Sequence, residues 1–138
     1  MKVKLLSHAF PPVRAHETDA GMDLKAMVTD GILPGASKTF DTGVCIEIPP
    51  GYFGMVANRS GLNIKHGIVC SGVGIVDEGY TGSIKVKLYN LSDTPYVVDR
   101  GDKIAQLIIL PCLKPEMEYV EELDETDRGT SGFGSTGR

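Results

Sequence analysis

No apolar stretch in this sequence is long enough to cross a bilayer; the longest, from Ile104 to Cys112, falls well short of a membrane helix. The start MKVKLLSHAFPP lacks the long apolar core of a secretory leader, so a soluble cytoplasmic protein is expected. Cysteine is scarce. Cys45, Cys70 and Cys112 are odd in number and widely spaced, each in an apolar run, which favours buried free thiols over disulfides or a metal site. His8, His16 and His66 show no ligand spacing with one another or with a cysteine, and a structural zinc site finds no support. A basic excess is also missing: the net charge is −4, which argues against generic nucleic-acid binding. If the ligand is an anion, a few local arginines must hold it.

Long periodic helical stretches are lacking too. Seventeen glycines and eight prolines instead punctuate short runs rich in β-branched and aromatic residues, the pattern of an all-β fold. The 138 residues, 41% of them hydrophobic, suffice for one domain with one core. Strands are expected over Val3 to Leu6, Lys38 to Ile48, Tyr52 to Ala57, Gly67 to Cys70, Ser83 to Tyr89, Tyr96 to Val98, Lys103 to Leu110 and Met117 to Val120. In SIKVKLYN, Ile84, Val86 and Leu88 alternate with Lys85, Lys87 and Tyr89, as a half-buried strand requires. Ser60 to Lys65 is the one helix-like piece. A sandwich, jelly roll or distorted barrel follows, with function on its loops. After Val120, EELDETD is a run of solvated carboxylates and RGTSGFGSTGR is nearly half glycine, which divides the chain into a domain over 1–120 and an arm over 121–138. Phe133, a lone ring among glycines, suits a segment that closes over a flat ligand.

Five blocks carry candidate chemistry: AGMDLKA (20–26), NRSGL (58–62), GIVDEGYTG (74–82), GDKIAQLII (101–109) and RGTSGFGSTG (128–137). Arg59, Ser60 and Gly61 stand where a strand gives way to the short helix, so backbone N–H groups, a hydroxyl and a guanidinium could converge on phosphate oxygens; an ordinary capped turn would look the same. Asp77 follows Ile75 and Val76 and precedes a turn. This placement suits either a partly buried carboxylate that accepts a proton from water or a plain turn residue. Tyr80 reads unaided as a packing residue at a strand end, and Gln106 is a polar side chain in an apolar strand.

In order and spacing these blocks resemble the five motifs of the trimeric deoxyuridine triphosphatase family, almost from end to end of the chain. The resemblance implies a distorted jelly-roll or β-clip barrel with one short helix. The implied reaction is hydrolysis of dUTP to dUMP and pyrophosphate, which keeps uracil out of DNA and supplies dUMP for thymidylate synthesis. Asp77 becomes the general base for the water that attacks the α-phosphorus. Arg59, Ser60, Gly61 and Gln106 become phosphate contacts, and Tyr80 the ring that leaves no room for a 2′-hydroxyl. The backbone between Gly72 and Ile75 would form a hairpin that reads uracil by its amide edge, with Val76 also among the substrate-binding residues. Arg128 would clamp the terminal phosphate, Phe133 would lie over the base, and Gly134, Ser135 and Thr136 would add contacts. Magnesium is implied as cofactor, held by substrate phosphates and waters with no direct protein ligand, Asp23 lying near it through waters. The partners implied are dUTP and two further copies of the chain in a homotrimer with shared sites, without nucleic acid or membrane.

The match departs in places. Gly79 stands where a second Asp is usual, Ser83 where an acidic or amide side chain is common, and Asn58 where a proline often precedes the arginine. Two other readings stay open. A related dCTP deaminase would need a pocket glutamate, for which Glu78 is the nearby candidate; a nucleotide-gated regulatory binding protein, plausible if phage-encoded, would keep the pocket as a switch for a protein partner.

Overall fold

The structure is a computed structural model that describes residues 1–131. Its elements run β1 (Val3–Leu5), β2 (Met22–Lys25), β3 (Asp30–Ile32), β4 (Ser37–Asp41), β5 (Val44–Ile46), β6 (Tyr52–Ala57), α1 (Ser60–His66), β7 (Ile68–Cys70), β8 (Gly74–Val76), β9 (Lys85–Asn90), β10 (Tyr96–Val98) and β11 (Lys103–Pro111). Every pairing is antiparallel: a four-stranded sheet β2-β11-β6-β8, a three-stranded sheet β4-β9-β7, and the pairs β1-β5 and β10-β3. Among the described residues the fold is an all-β jelly roll with one short helix, and its strands do not close into a barrel.

The alternation in β9 places its side chains as expected. Val86 and Leu88 are buried, Lys85 and Lys87 are exposed, and Val86 stands directly opposite the buried Phe40 of β4. From the larger sheet, Leu24 and Leu107 enter the same core, where each fully buried side chain of this size contributes roughly 1.5–3 kcal/mol of transfer free energy. Helix α1 buries none of its residues. It is held at the surface by Leu62, by the His66–Tyr96 ring contact at 5.1 Å, and by a left-handed Gly67 whose N–H closes the last turn on Asn63 at 2.9 Å.

Several expectations are corrected. The single strand over 38–48 is broken at Thr42–Gly43, where the buried Thr42 hydroxyl donates to the Ile84 carbonyl at 2.7 Å and the chain leaves β4 for β5. Met117 to Val120 is not a strand, since no neighbour among the described residues supplies ladder partners and Met117 and Tyr119 stand in solvent. Strands β2, β3 and β8 have no counterpart among the expected ones. Among the cysteines, Cys45 and Cys70 are buried free thiols, whereas Cys112 lies one residue past β11 and is half-buried. No described helix is long and apolar enough to cross a membrane.

Candidate active site

At one corner of the four-stranded sheet, Asp23 on β2 faces Gln106 on β11, and Gln106 also faces Ala57 at the end of β6. The chain then turns through Asn58 into α1. Asn58 Oδ1 accepts the Cys70 N–H at 2.5 Å, which ties this turn to β7 and gives that side chain a role a proline could not fill. Arg59 is the N-cap, and its side chain makes no cap bond to the first-turn N–H groups. An added Cβ on Gly61 would meet nothing within 4 Å, so the missing side chain leaves space on the outside of the turn.

Arg59 itself is held inward. Its Nε donates to Asp23 Oδ1 at 3.0 Å and its Nη1 to the Lys103 carbonyl at 3.1 Å, while Lys103 Nζ reaches Asp23 Oδ2 at 2.7 Å. Asp23, only 8% exposed, therefore serves two cations, and the group keeps a surplus of one positive charge. Asp23, Arg59, Lys103 and Gln106 line a cavity of about 320 Å³ whose far wall is the loop of His16, Asp19 and Gly21. That loop is fastened by Arg14 Nη1 on the Ala20 carbonyl at 2.8 Å and by the His16 N–H on Asp19 Oδ2 at 2.9 Å. The cavity thus presents a fixed guanidinium, a lysine and an amide, a donor set for anionic oxygens.

The second corner lies at the other edge of the sheet. Strand β8 buries Val76 and leaves Ile75 55% exposed, and Asp77 follows at the strand end. Asp77 to Tyr80 is a turn closed by the Tyr80 N–H on the Asp77 carbonyl at 3.1 Å, with Gly79 at φ 87° in its third position. A type II turn favours glycine there, which explains why a second aspartate is absent. Tyr80, Ile75, Val76 and Ser83 line a cavity of about 230 Å³. Glu78 points elsewhere: it is ion-paired with Lys114 and accepts the Gly51 N–H at 3.2 Å, and the Lys114 hydrogen bond, then that of Gly51, holds its carboxyl below the usual glutamate range. A carboxylate so engaged is unsuited to the proton shuttling a deaminase requires.

Two readings change here. Asp77 is exposed in the single chain rather than partly buried. β7 and β8 pair with β9 and β6 and not with each other, so the segment around Gly72 is a crossing between two sheets and not a paired hairpin; Gly72 sits there at φ 63°. Arg128 donates through Nε to the Ser131 carbonyl at 3.0 Å, and Phe133, Gly134, Ser135 and Thr136 lie outside the described residues. The sequence reading missed Lys103 and His16. Lys103 was visible inside the fourth block, but three residues from Gln106 it should face the other side of a regular strand.

The two cavities share no lining residue. Gln106 is level with Ala57 on β6 and Val76 is level with Gly54, so the corners lie about 10 Å apart along the strands and about 10 Å apart across two strand spacings.

A family model described as dUTPase matches residues 8–137. The chain is 45% identical to the deoxyuridine 5'-triphosphate nucleotidohydrolase of Gloeothece citriformis, over 97% of this chain and 93% of that protein. It is 44% identical to the protein of the same name from Clostridium acetobutylicum, over 99% and 96%. Among solved structures, the Staphylococcus bacteriophage 80alpha dUTPase with dUpNHpp superposes with a TM-score of 0.91 at 32% identity, covering 99% of this chain and 98% of that one. A point mutant of the dUTPase from phage phi11 of S. aureus, described with a structural Mg(II) ion, superposes at 0.83 and 30% identity, covering 90% and 98%.

Proposed function

The chain belongs to the dUTPase family and hydrolyses dUTP to dUMP and pyrophosphate, and from that premise we propose which of its residues do so. Asp77 is the general base, taking the proton of the water that attacks the α-phosphorus. Its place at a strand end, on a turn closed by its own carbonyl, supports a fixed carboxylate open to water. Arg59, Ser60, Gly61 and Gln106 bind the phosphates, Tyr80 packs against the deoxyribose, and the backbone from Gly72 through Ile75 and Val76 reads uracil.

One observation carries the reading: the anion-binding groups line one cavity, and Asp77 directly follows Val76, which lines another at the diagonally opposite corner of the same sheet. Gln106 and Val76 lie about 14 Å apart on the sheet, from the two offsets of about 10 Å, so the phosphate-binding groups and Asp77 of one chain do not converge on one cavity. We therefore propose that copies of the chain complete each site, in a homotrimer. Support comes from apolar side chains left in solvent at the second corner, Val73 at 63% and Ile75 at 55%, and from Leu113, Tyr119 and Leu123 in the segment after β11. Residues 1–120 act as the catalytic domain and 121–138 as an arm. The roles of Arg128, Phe133, Gly134 and Ser135 rest on the sequence resemblance alone.

Magnesium fits this donor set as an ion carried mainly by substrate. No cluster of three or more ligating side chains exists among the described residues, and both Asp23 oxygens are engaged by cations yet retain lone pairs for a water. When bound, it would neutralise phosphate charge; the protein's own groups orient the triphosphate and take up the water's proton. The free thiols Cys45, Cys70 and Cys112 suit a reducing, cytoplasmic location.

The test is pyrophosphate release, with magnesium and with chelator, from dUTP, dCTP, dTTP and UTP, alongside Asp77→Asn. Selective cleavage of dUTP that falls by about 10²–10⁴ in the variant, with nucleotide binding retained, supports the assignment. Unchanged release by Asp77→Asn overturns the base, and release indifferent to chelator overturns the magnesium requirement.

A further inference from the structure

Strands β2 and β11 are not in simple register. Gln106 faces Asp23 and Ala105 faces Leu24, but the residue facing Lys25 is Lys103 rather than Ile104. One extra residue on β11 makes a bulge at this point, with Ile104 and Ala105 buried in succession. In an unbroken ladder, positions 103 and 106 are an odd number apart and point to opposite faces. The bulge reverses that parity and returns Lys103 to the face that carries Asp23 and Gln106, where it lines the same cavity.

Lys103 reaches Arg59 in two ways. Its ammonium group holds Asp23 Oδ2 at 2.7 Å while Arg59 Nε holds Oδ1 at 3.0 Å, and its carbonyl accepts Arg59 Nη1 at 3.1 Å. Two of the five N–H groups of the guanidinium are thereby committed to the protein, and the others remain for a ligand. Arg59 alone on Asp23 would make a neutral pair with little pull on an anion. With Lys103 sharing the carboxylate, the group stays cationic and the guanidinium is held against rotation.

We propose that Lys103 is a positioning residue for dUTP hydrolysis, holding Arg59 oriented and the Asp23 pair net positive so that Arg59 engages the substrate phosphates. The proposal rests on the reading of Arg59 as a phosphate contact. Lysine at this position would then act chiefly on KM and on affinity for the triphosphate, through Arg59, rather than on proton transfer at Asp77.

The experiment compares full-length wild type, Lys103→Met, Lys103→Arg, Arg59→Ala and the Arg59→Ala/Lys103→Met double variant. Affinity is measured for dUpNHpp and for deoxyuridine, which has no phosphate, with Tm and steady-state kinetics on dUTP alongside. Lys103→Met is expected to weaken dUpNHpp about tenfold or more and to raise KM more than it lowers kcat, leaving deoxyuridine affinity unchanged. Lys103→Arg should restore most of the loss. In the Arg59→Ala background the Lys103→Met loss should shrink by more than about twofold, the mark of coupling. A loss of the same size in both backgrounds overturns the proposal, as does an equal loss for deoxyuridine. If Arg59→Ala leaves dUpNHpp affinity unchanged, the phosphate-site reading fails instead. Should Lys103→Met not fold, Lys103→Gln carries the same comparison.

Discussion

The Tyr80 hydroxyl donates to the main-chain carbonyl of Ser83 at 3.1 Å, laying the ring across Gly82, where an added Cβ would stand 2.5 Å from the hydroxyl oxygen. Ring position and the glycine are therefore one feature. Gly82→Ala should displace the ring and relax sugar discrimination, lowering the dUTP-to-UTP ratio of kcat/KM by about tenfold or more. Tyr80→Phe keeps the ring and forfeits one hydrogen bond of about 1 kcal/mol, so its ratio should stay near wild type. Steady-state kinetics on both nucleotides decide it; an unaltered ratio in Gly82→Ala removes Tyr80 as the sugar filter.

Gly21 bears the same relation to Gln106. A Cβ there would stand 2.5 Å from Gln106 Oε1, and the side chain must swing away. Because the displaced atoms end a flexible chain, Gly21→Ala should cost at most about 1 kcal/mol of stability yet raise KM for dUTP severalfold. Gln106→Ala should raise KM alike, and the double variant should add nothing. Additive effects would separate Gly21 from Gln106.

The Glu78–Lys114 pair predicts a pH signature. Glu78 is depressed first by the Lys114 hydrogen bond and then by that of Gly51, so its contribution is present above the ordinary carboxylate range and fades as pH falls through its lowered value. Lys114 is raised first by its hydrogen bond to Glu78, so its contribution persists below its ordinary range and is lost as pH rises through the raised value. Glu78→Gln should therefore lower Tm at neutral pH, and the gap should close as pH falls through the lowered Glu78 value and in high salt. A gap that persists at low pH would mean that packing, not charge, is at work.

Asn90 is fully buried and spends its whole amide. Nδ2 donates to the Ile32 carbonyl at 2.9 Å and the Thr94 carbonyl at 2.8 Å, and Oδ1 accepts from the Ser92 N–H and hydroxyl. Asn90→Asp turns a donor towards two carbonyls into a buried acceptor and should destabilise the fold by about 3 kcal/mol or more. Denaturant unfolding measures the loss directly.

Burial pushes the Cys70 thiol up to about 11, so little thiolate forms at neutral pH. Half-buried Cys112 should be alkylated first in the native protein, with Cys70 modified only on unfolding. Mass spectrometry of partly modified protein reads the order; early labelling of Cys70 would show that its strand opens readily.

Strands with a clean apolar signature were legible from the residues. β6 and β10 begin and end where expected, and β9 follows its alternation. β2 was not, because MDLK places a charged side chain at a buried position that becomes tolerable only once Arg59 and Lys103 arrive from elsewhere in the chain. The opposite error, a strand at Met117 to Val120, came from residues with the right propensity and no partner to pair with.

The sequence by itself determined the all-β class, the family, the reaction and the five blocks, because side-chain alternation, turn residues and motif spacing are local and are written along the chain. Only the tertiary structure decided that Asp23 and Arg59 form one charged group, that Glu78 is tied to Lys114 and Gly51, that Asp77 stands at a different corner, and that Lys103 shares the face of Gln106. These are matters of strand pairing across long separations. A single bulge reverses which face a side chain occupies, and nothing in the residues of β11 alone reports the register of the strand beside it.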